Sequence, residues 1–303
     1  MTRVNVVVAG AGPTGLTLAC CLLANGVSVR VVDQATGPAR TSRALGLQPR
    51  GAEVLDRTGA LGELPGRSIG IARVVVHVNG RRMASLRVGQ RTKLVTRSGL
   101  LVSQAEIEAE LRRRLADLGG RVEGGAELVC ADQDEHGVTA DLADGDPVRG
   151  DWVVGCDGAH SRVRKAAGIG FPGVPLSESF LLADVRADLP LPHDTVSVWL
   201  RGEDMVAAFP LPGQDLWRLM APAPQGTACD SAPDAVMRVL TRLLVEHSGL
   251  AAACVRGVAS VMPRTSPGSS RWSAPAGHRP HCWTPTRPSA AQSPPKCSPP
   301  PAA

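Results

Sequence analysis

Gly10, Gly12 and Gly15 stand in the turn Gly10-Ala11-Gly12-Pro13-Thr14-Gly15, directly after the apolar run Val4-Asn5-Val6-Val7-Val8-Ala9. Asp33-Gln34 closes a second run, Val27-Ser28-Val29-Arg30-Val31-Val32, about twenty residues on. These residue types in this order suit a dinucleotide. Gly10 permits a tight turn, Gly12 lets a pyrophosphate approach the backbone, and Gly15 lets a helix pack closely on a strand. The helix opening at Pro13-Thr14 offers free N–H groups and a partial positive charge to that anion. A carboxylate at Asp33 can bond ribose hydroxyls.

Further residues have suitable chemistry in weaker contexts. Arg43 lies in a basic loop, Arg40 to Leu47, and by itself is equally a surface arginine. Gln104 opens a helix and is equally a polar first-turn residue. Asp157-Gly158 ends the apolar run that starts at Asp151-Trp152, and Asp157 suits an N-cap for the basic helix after Ser161. His160 reads as a helix-start residue. No side chain stands out as an acid, base or nucleophile, so the catalytic residues are unassigned.

The elements that must position these groups follow from the pattern. A β(4–9)–turn–α(15–25)–β(27–33) unit comes first, with Gly26 as a helix stop. A helix lies around 50–59. A hairpin occupies 73–88, because Asn79-Gly80 between apolar strands supplies two residues that tolerate positive φ. Ser103-Gln104-Ala105-Glu106 is a capping-box pattern ahead of the stripe Ile107, Leu111, Leu115 and Leu118. Strands are expected near 121–129, 137–142, 180–186, 195–200, 205–209, 216–221 and 251–261, with a helix over 234–248. After Met262 the chain turns to Pro, Ser, Ala and Arg without periodicity, which reads as a disordered tail.

The 303 residues suffice for one large or two modest cores. The net charge of +5 does not signal nucleic acid, since the arginines are spread along the chain and Tyr is absent. Arg112-Arg113-Arg114 reads as the solvated face of a helix. The eight Cys show no metal spacing, so no metal is expected and the thiols suit a reducing cytoplasm. No apolar run reaches membrane-spanning length and no leader is evident, so the expected setting is cytoplasmic, away from membranes.

The Gly-rich turn, Arg43, Gln104 and Cys156-Asp157-Gly158 together resemble the FAD-dependent aromatic hydroxylases of the para-hydroxybenzoate hydroxylase type, in the branch acting on aromatic polyketides. The resemblance covers about residues 3–260. It implies an α/β fold: a Rossmann-like FAD-binding domain (1–72 and 98–172) with an inserted β-sheet substrate domain (73–97 and 173–262), then a disordered tail (263–303). It implies FAD held by Gly10, Ala11, Gly12, Pro13, Thr14, Gly15, Asp33, Gln34, Arg43, Gln104, Asp157 and Gly158. It also implies NAD(P)H as co-substrate and O2 as oxidant, with hydroxylation of an aromatic small molecule through a flavin C4a-hydroperoxide. Trp199, Met205, Phe209 and Trp217 are candidates to line the substrate pocket, with sheet core as the favoured alternative. Two other readings stay open: a non-catalytic FAD-binding remnant, and an NAD-dependent dehydrogenase.

One family signature is missing. A strand followed by Gly-Asp-Ala-Ala-His should stand near His281-Cys282-Trp283-Thr284-Pro285-Thr286-Arg287-Pro288. With G at the third codon positions, reading these codons one base earlier gives Leu-Asp-Ala-Asp-Ala-Ala, close to the expected motif. A frameshift shortly after Val261 is therefore expected, with a natural Pro-rich tail as the alternative. It would make the tail out-of-frame translation, and the chain a truncated and impaired member of the family.

Overall fold

The computed structural model describes residues 3–38, 44–70, 73–89, 91, 93–173, 179–223, 233–250 and 255–262. The tail at 263–303, the start of the expected last strand at 251–254, and Arg43 lie outside the described residues.

The first sheet explains the opening valines. Strands β1 (Arg3–Ala9) and β2 (Val29–Asp33) flank helix α1 (Pro13–Ala24) in sequence and pair in parallel. Val6, Val8 and Val31 face one core shared with Leu16, Ala19 and Cys20 of α1, while Val7, Ala9 and Val32 face a second core on the opposite side. A strand buried on both faces reads as a continuous apolar run. After β3 (Leu45–Leu47) and α2 (Pro49–Arg57) come β4 (Ile69–Gly70), β5 (Arg73–Val78), β6 (Arg81–Arg87) and β7 (Leu100–Ser103). Helix α3 (Gln104–Asp117) follows at once, and then β8 (Val122–Gly124), β9 (Leu128–Asp134), β10 (Gly137–Leu142) and β11 (Val148–Gly155). The first sheet runs β8-β2-β1-β11-β10-β9, parallel through β11 and antiparallel beyond it.

Helix α3 lies against α1, burying Ile107, Leu111 and Leu115 in the α1 core. Half of the expected capping box forms: Ser103 Oγ accepts from the Ala105 N–H at 3.2 Å, while Glu106 instead pairs with Arg67 at 3.2 Å. The arginine run is the solvated face expected only at Arg113, which is exposed. Arg112 donates to the Ala11 carbonyl and Arg114 to the Thr58 carbonyl, and Arg113 pairs with Glu110 and Asp117. The physical reason is helical spacing, which sends adjacent residues in three directions, two of them toward neighbouring turns.

Beyond β11 lie α4 (Arg162–Ala166), β12 (Phe180–Ala187), β13 (Thr195–Arg201), β14 (Asp204–Pro210), β15 (Leu216–Pro222), α5 (Pro233–Ser248) and β16 (Val255–Met262). They build a second sheet ordered β16-β12-β15-β14-β13-β5-β6. The Asn79-Gly80 hairpin forms as expected, with φ of 49° and 76°, and joins this sheet through parallel pairing of β5 with β13. Strands β3, β7 and β4 form a small third sheet. No described helix is long and apolar enough to cross a membrane.

Several carboxylates brace these layers. Arg149 beside Asp134, helped by the His136 N–H, holds that carboxyl down at about 2. Arg3 and Asn5 lower Asp151, and the Thr96 N–H with Arg50 lowers Glu53. A carboxyl whose folded pKa is depressed contributes stability above its unfolded value, near ~4, and loses it as pH falls through the folded value. Thermal melts from pH 7 to pH 2 therefore show a Tm that is flat above about pH 5 and falls progressively below pH 4.

Candidate functional site

The Gly-rich turn is fixed by contacts that leave no room for side chains at two of its three glycines. Gly10 has φ +101°, and a Cβ there would lie 2.4 Å from the Cys156 carbonyl oxygen. A Cβ on Gly15 would lie 1.9 Å from the Gly10 carbonyl oxygen. The turn therefore packs against both the end of β11 and the first turn of α1. Gly12 differs: a Cβ there would meet nothing within 4 Å, and Gly12 lines a cleft of about 600 Å³. Gly12 is the N-cap of α1, Pro13 opens the helix, and no acidic residue stands in its first turn. Among the described residues, no side chain caps the start of α1, so its first N–H groups and positive end are open to a ligand.

Asp33 ties the two halves of the motif together. Its Oδ2 accepts from the Ala11 N–H at 2.5 Å and its Oδ1 from the Ala35 N–H at 2.8 Å. The Gly10 N–H donates to the Val32 carbonyl at 2.8 Å. Each carboxylate oxygen has a second lone pair, so Asp33 can still accept from a hydroxyl in the cleft it lines. Gln34 lines the same cleft and is exposed.

On the opposite wall stand Cys156, Asp157, Gly158, His160, Arg162 and Lys165. Asp157 Oδ2 accepts from the Arg162 N–H at 2.6 Å, which caps the basic helix α4 together with Ser161 Oγ, the acceptor for the Arg164 N–H. Its other oxygen, Oδ1, is buried and lacks a hydrogen-bond partner among the described residues. Burial pushes the Cys156 thiol up, with Asp157 adding to the effect, so Cys156 faces the cleft as a neutral thiol rather than a nucleophile. His160 closes a single 3-10 turn, Gly158–His160, just before the Ser161 N-cap of α4, rather than starting a helix.

The cleft brings together Gly10, Gly12, Asp33, Gln34, Asp157 and Gly158, with Ala11, Pro13, Thr14 and Gly15 in the adjoining turn and helix start. Gln104 lies apart from it at the head of α3. Its backbone N–H donates to the Ala44 carbonyl at 3.3 Å, and its side-chain amide donates to Glu108. Two features escape sequence reasoning. One is Arg112, whose reach to the Ala11 carbonyl depends on how α3 packs on α1. The other is the grouping of Cys130, Asp132 and Asp141, whose ligand atoms lie within 4.8 Å because β9 pairs with β10.

The four candidate pocket residues divide between the faces of the second sheet. Trp199 and Trp217 are 4% and 1% exposed and belong to the core under α5. Met205 and Phe209, half-buried, alternate to the other face. There Phe209 stands beside Arg218, which is paired bidentately with Asp184 at 2.7 and 3.1 Å.

Residues 3–250 match the family described as the FAD binding domain. The chain belongs to the FAD binding domain family. Over 250 residues it is 36% identical to the 6-methylpretetramide 4-monooxygenase of Streptomyces rimosus, covering 81% of this chain and 44% of that protein. It is 36% identical over 250 residues to the rifampicin monooxygenase of Streptomyces venezuelae, covering 81% of this chain and 51% of the relative. The chain thus spans about half the length of these curated relatives. Among solved structures, the flavin-dependent monooxygenase PieE, in complex with FAD and substrate, shares the fold with a TM-score of 0.76 at 23% identity, over 88% of this chain and 50% of that one. The OxyS anhydrotetracycline hydroxylase of Streptomyces rimosus is 28% identical with a TM-score of 0.63, over 88% and 52%. As an FAD binding domain family member, the chain has the α/β fold with the hairpin-containing second sheet that the resemblance implies.

Proposed function

We propose that the cleft holds FAD, and that the whole protein is an FAD-dependent monooxygenase hydroxylating an aromatic, polyketide-type small molecule with NAD(P)H and O2. The observation that carries this reading is the convergence of an uncapped helix start, an approachable Gly12, Asp33 and the orphan Asp157 Oδ1 on one cleft. These groups fit the cofactor. The α1 N–H groups and the basic rim of Arg162 and Lys165 suit a pyrophosphate. Asp33 and Gln34 suit the adenosine ribose, and the free oxygen of Asp157 suits a donor on the ligand or an ordered water. On this reading Arg43 and Gln104 also contact the cofactor. FAD supplies the electron and oxygen chemistry when bound, and the chain's own task is to bind, orient and exclude water. The half-buried face bearing Met205 and Phe209 suits an apolar aromatic ring.

A second reading, a non-catalytic FAD-binding remnant, is favoured by one observation. Strand β11 pairs with β10 only over Val148–Gly150, so the outer edge of 151–155 is unpaired among the described residues. Trp152 on that stretch is 70% exposed. An open strand edge beside an exposed indole is an unfinished surface. It supports the proposal that the FAD-binding half lacks a strand, that residues 263–303 are out-of-frame translation, and that this chain retains FAD weakly and hydroxylates little. Sequencing the gene across codons 255–290 and expressing a frame-restored version tests this. The restored protein is expected to purify yellow, with substrate-stimulated NAD(P)H oxidation that the 303-residue chain lacks. An intact frame without a hydroxylase-like downstream reading, or stoichiometric flavin and full activity in the 303-residue chain, overturns it.

A further inference from the structure

Glu108 is a buried carboxylate in α3 that the reading above does not use. It is 7% exposed. The other two acids buried in helices each have arginine partners: Glu53 pairs with Arg50, and Glu110 with Arg67 and Arg113. Among the described residues Glu108 instead accepts from a neutral group, the Gln104 Nε2, at 2.8 Å. A buried carboxylate is costly unless it is paired and hydrogen-bonded.

The geometry has a chemical consequence. An ionised carboxylate only accepts, so the Gln104 amide must turn its NH2 toward Glu108. Its carbonyl oxygen Oε1 is then the end that Gln104 can offer to a ligand. The pairing also spans one helical turn, i to i+4, where side chains meet without strain. The same stripe continues to Arg112, at i+8, roughly 12 Å farther along the axis than Gln104. There Arg112 Nη2 donates to the Ala11 carbonyl of the Gly-rich turn at 3.4 Å, and its Nε is buried without a partner among the described residues. One face of α3 therefore runs from the Ala44–Gln104 contact to the pyrophosphate turn.

We propose that Glu108 is a positioning residue for FAD, locking Gln104 with its carbonyl oxygen outward so that Gln104 accepts hydrogen bonds from hydroxyl groups on the flavin half of the cofactor. This rests on the reading that Gln104 contacts the cofactor. Glu108 itself touches no ligand. Its replacement by Gln keeps the volume but lets the two amides pair either way round, so the orientation is lost. Replacement by Leu removes the acceptor altogether.

Equilibrium titrations of the full chain with FAD and, separately, with ADP test the proposal, alongside thermal melts. ADP reports the adenosine half alone. Glu108→Gln is expected to weaken FAD about fivefold, the value of one hydrogen bond, and to leave ADP binding and Tm unchanged. Gln104→Ala is expected to weaken FAD by the same factor and leave ADP binding unchanged, while lowering Tm because the buried Glu108 carboxylate loses its partner, and Gln104→Ala with Glu108→Gln to bind FAD no worse than Gln104→Ala. If Gln104→Ala weakens FAD while Glu108→Gln does not, the role of Glu108 is overturned and the placement of Gln104 survives. If Gln104→Ala has no effect on FAD, the placement itself fails and the proposal with it. Equal weakening of FAD and ADP by Glu108→Gln, or additive losses in the double variant, also overturns it. Should the Gln variant unfold, Glu108→Leu in the same comparison gives the decision.

Discussion

Gly12→Ala and Gly15→Ala give opposite phenotypes although they stand three residues apart in one motif. Gly15→Ala destabilises the fold by about 3 kcal/mol, lowering Tm by roughly 5–10 °C. Its Cβ would sit 1.9 Å from the Gly10 carbonyl oxygen and 3.2 Å from Cys156 Cβ, and backbone cannot give way as a flexible side chain can. Helix α1 would have to lift from β1, opening the core that contains Leu16, Val6 and Val8. Gly12→Ala leaves Tm unchanged, because Gly12 has φ −74° and ψ −177°, which any residue adopts, and its Cβ meets no atom within 4 Å. That methyl group projects where the pyrophosphate must come close to backbone. FAD and ADP affinity both fall tenfold or more, an order-of-magnitude figure for losing charge-assisted contacts at a helix start. Melting curves and nucleotide titrations of the two variants separate the roles. A stable Gly15→Ala variant would contradict the packing account, and unchanged nucleotide binding in Gly12→Ala would contradict the site.

Asp33→Ala reduces both stability and nucleotide affinity. The carboxylate accepts the Ala11 N–H at 2.5 Å and the Ala35 N–H at 2.8 Å, and Ala11 is fully buried. Leaving a buried N–H without a partner costs about 1–3 kcal/mol. The freed turn no longer holds the N–H groups at the start of α1 in place, and the ribose loses its acceptor. The expected loss is about ten- to hundredfold in affinity, equal for FAD and for ADP because Asp33 serves the half they share. Asp33→Asn lies between, since one of its two amide atoms now faces an N–H donor-to-donor. Equal affinity of wild type and Asp33→Ala for ADP would contradict the placement of Asp33 in the site.

The fold was legible where chemistry forces local structure. Continuous valine runs marked buried strands, Asn79-Gly80 marked the hairpin, and Ser103 marked the start of α3. The Gly10–Gly15 turn with Asp33 could be read because each residue does one job that few others can do. What stayed hidden depends on the packing of distant elements. Asp33 grips Ala11 across 22 residues, a bond that the ribose role alone did not foretell. Arg112 and Arg114 looked solvated because helical periodicity says which way a side chain leaves its helix, not what lies there. Trp199 and Trp217 separated from Met205 and Phe209 only once α5 was seen to cover one face of the second sheet. Glu108 had no sequence signal beyond its place four residues after Gln104.

The central claim is that the cleft between the Gly-rich turn, Asp33 and Asp157 takes FAD, and an equilibrium titration of the purified chain with FAD tests it most directly. The account predicts saturable binding that ADP displaces competitively and that Gly12→Ala weakens without a change in Tm. Absence of saturable FAD binding in a chain that melts cooperatively, or FAD binding that ADP cannot displace, would contradict it.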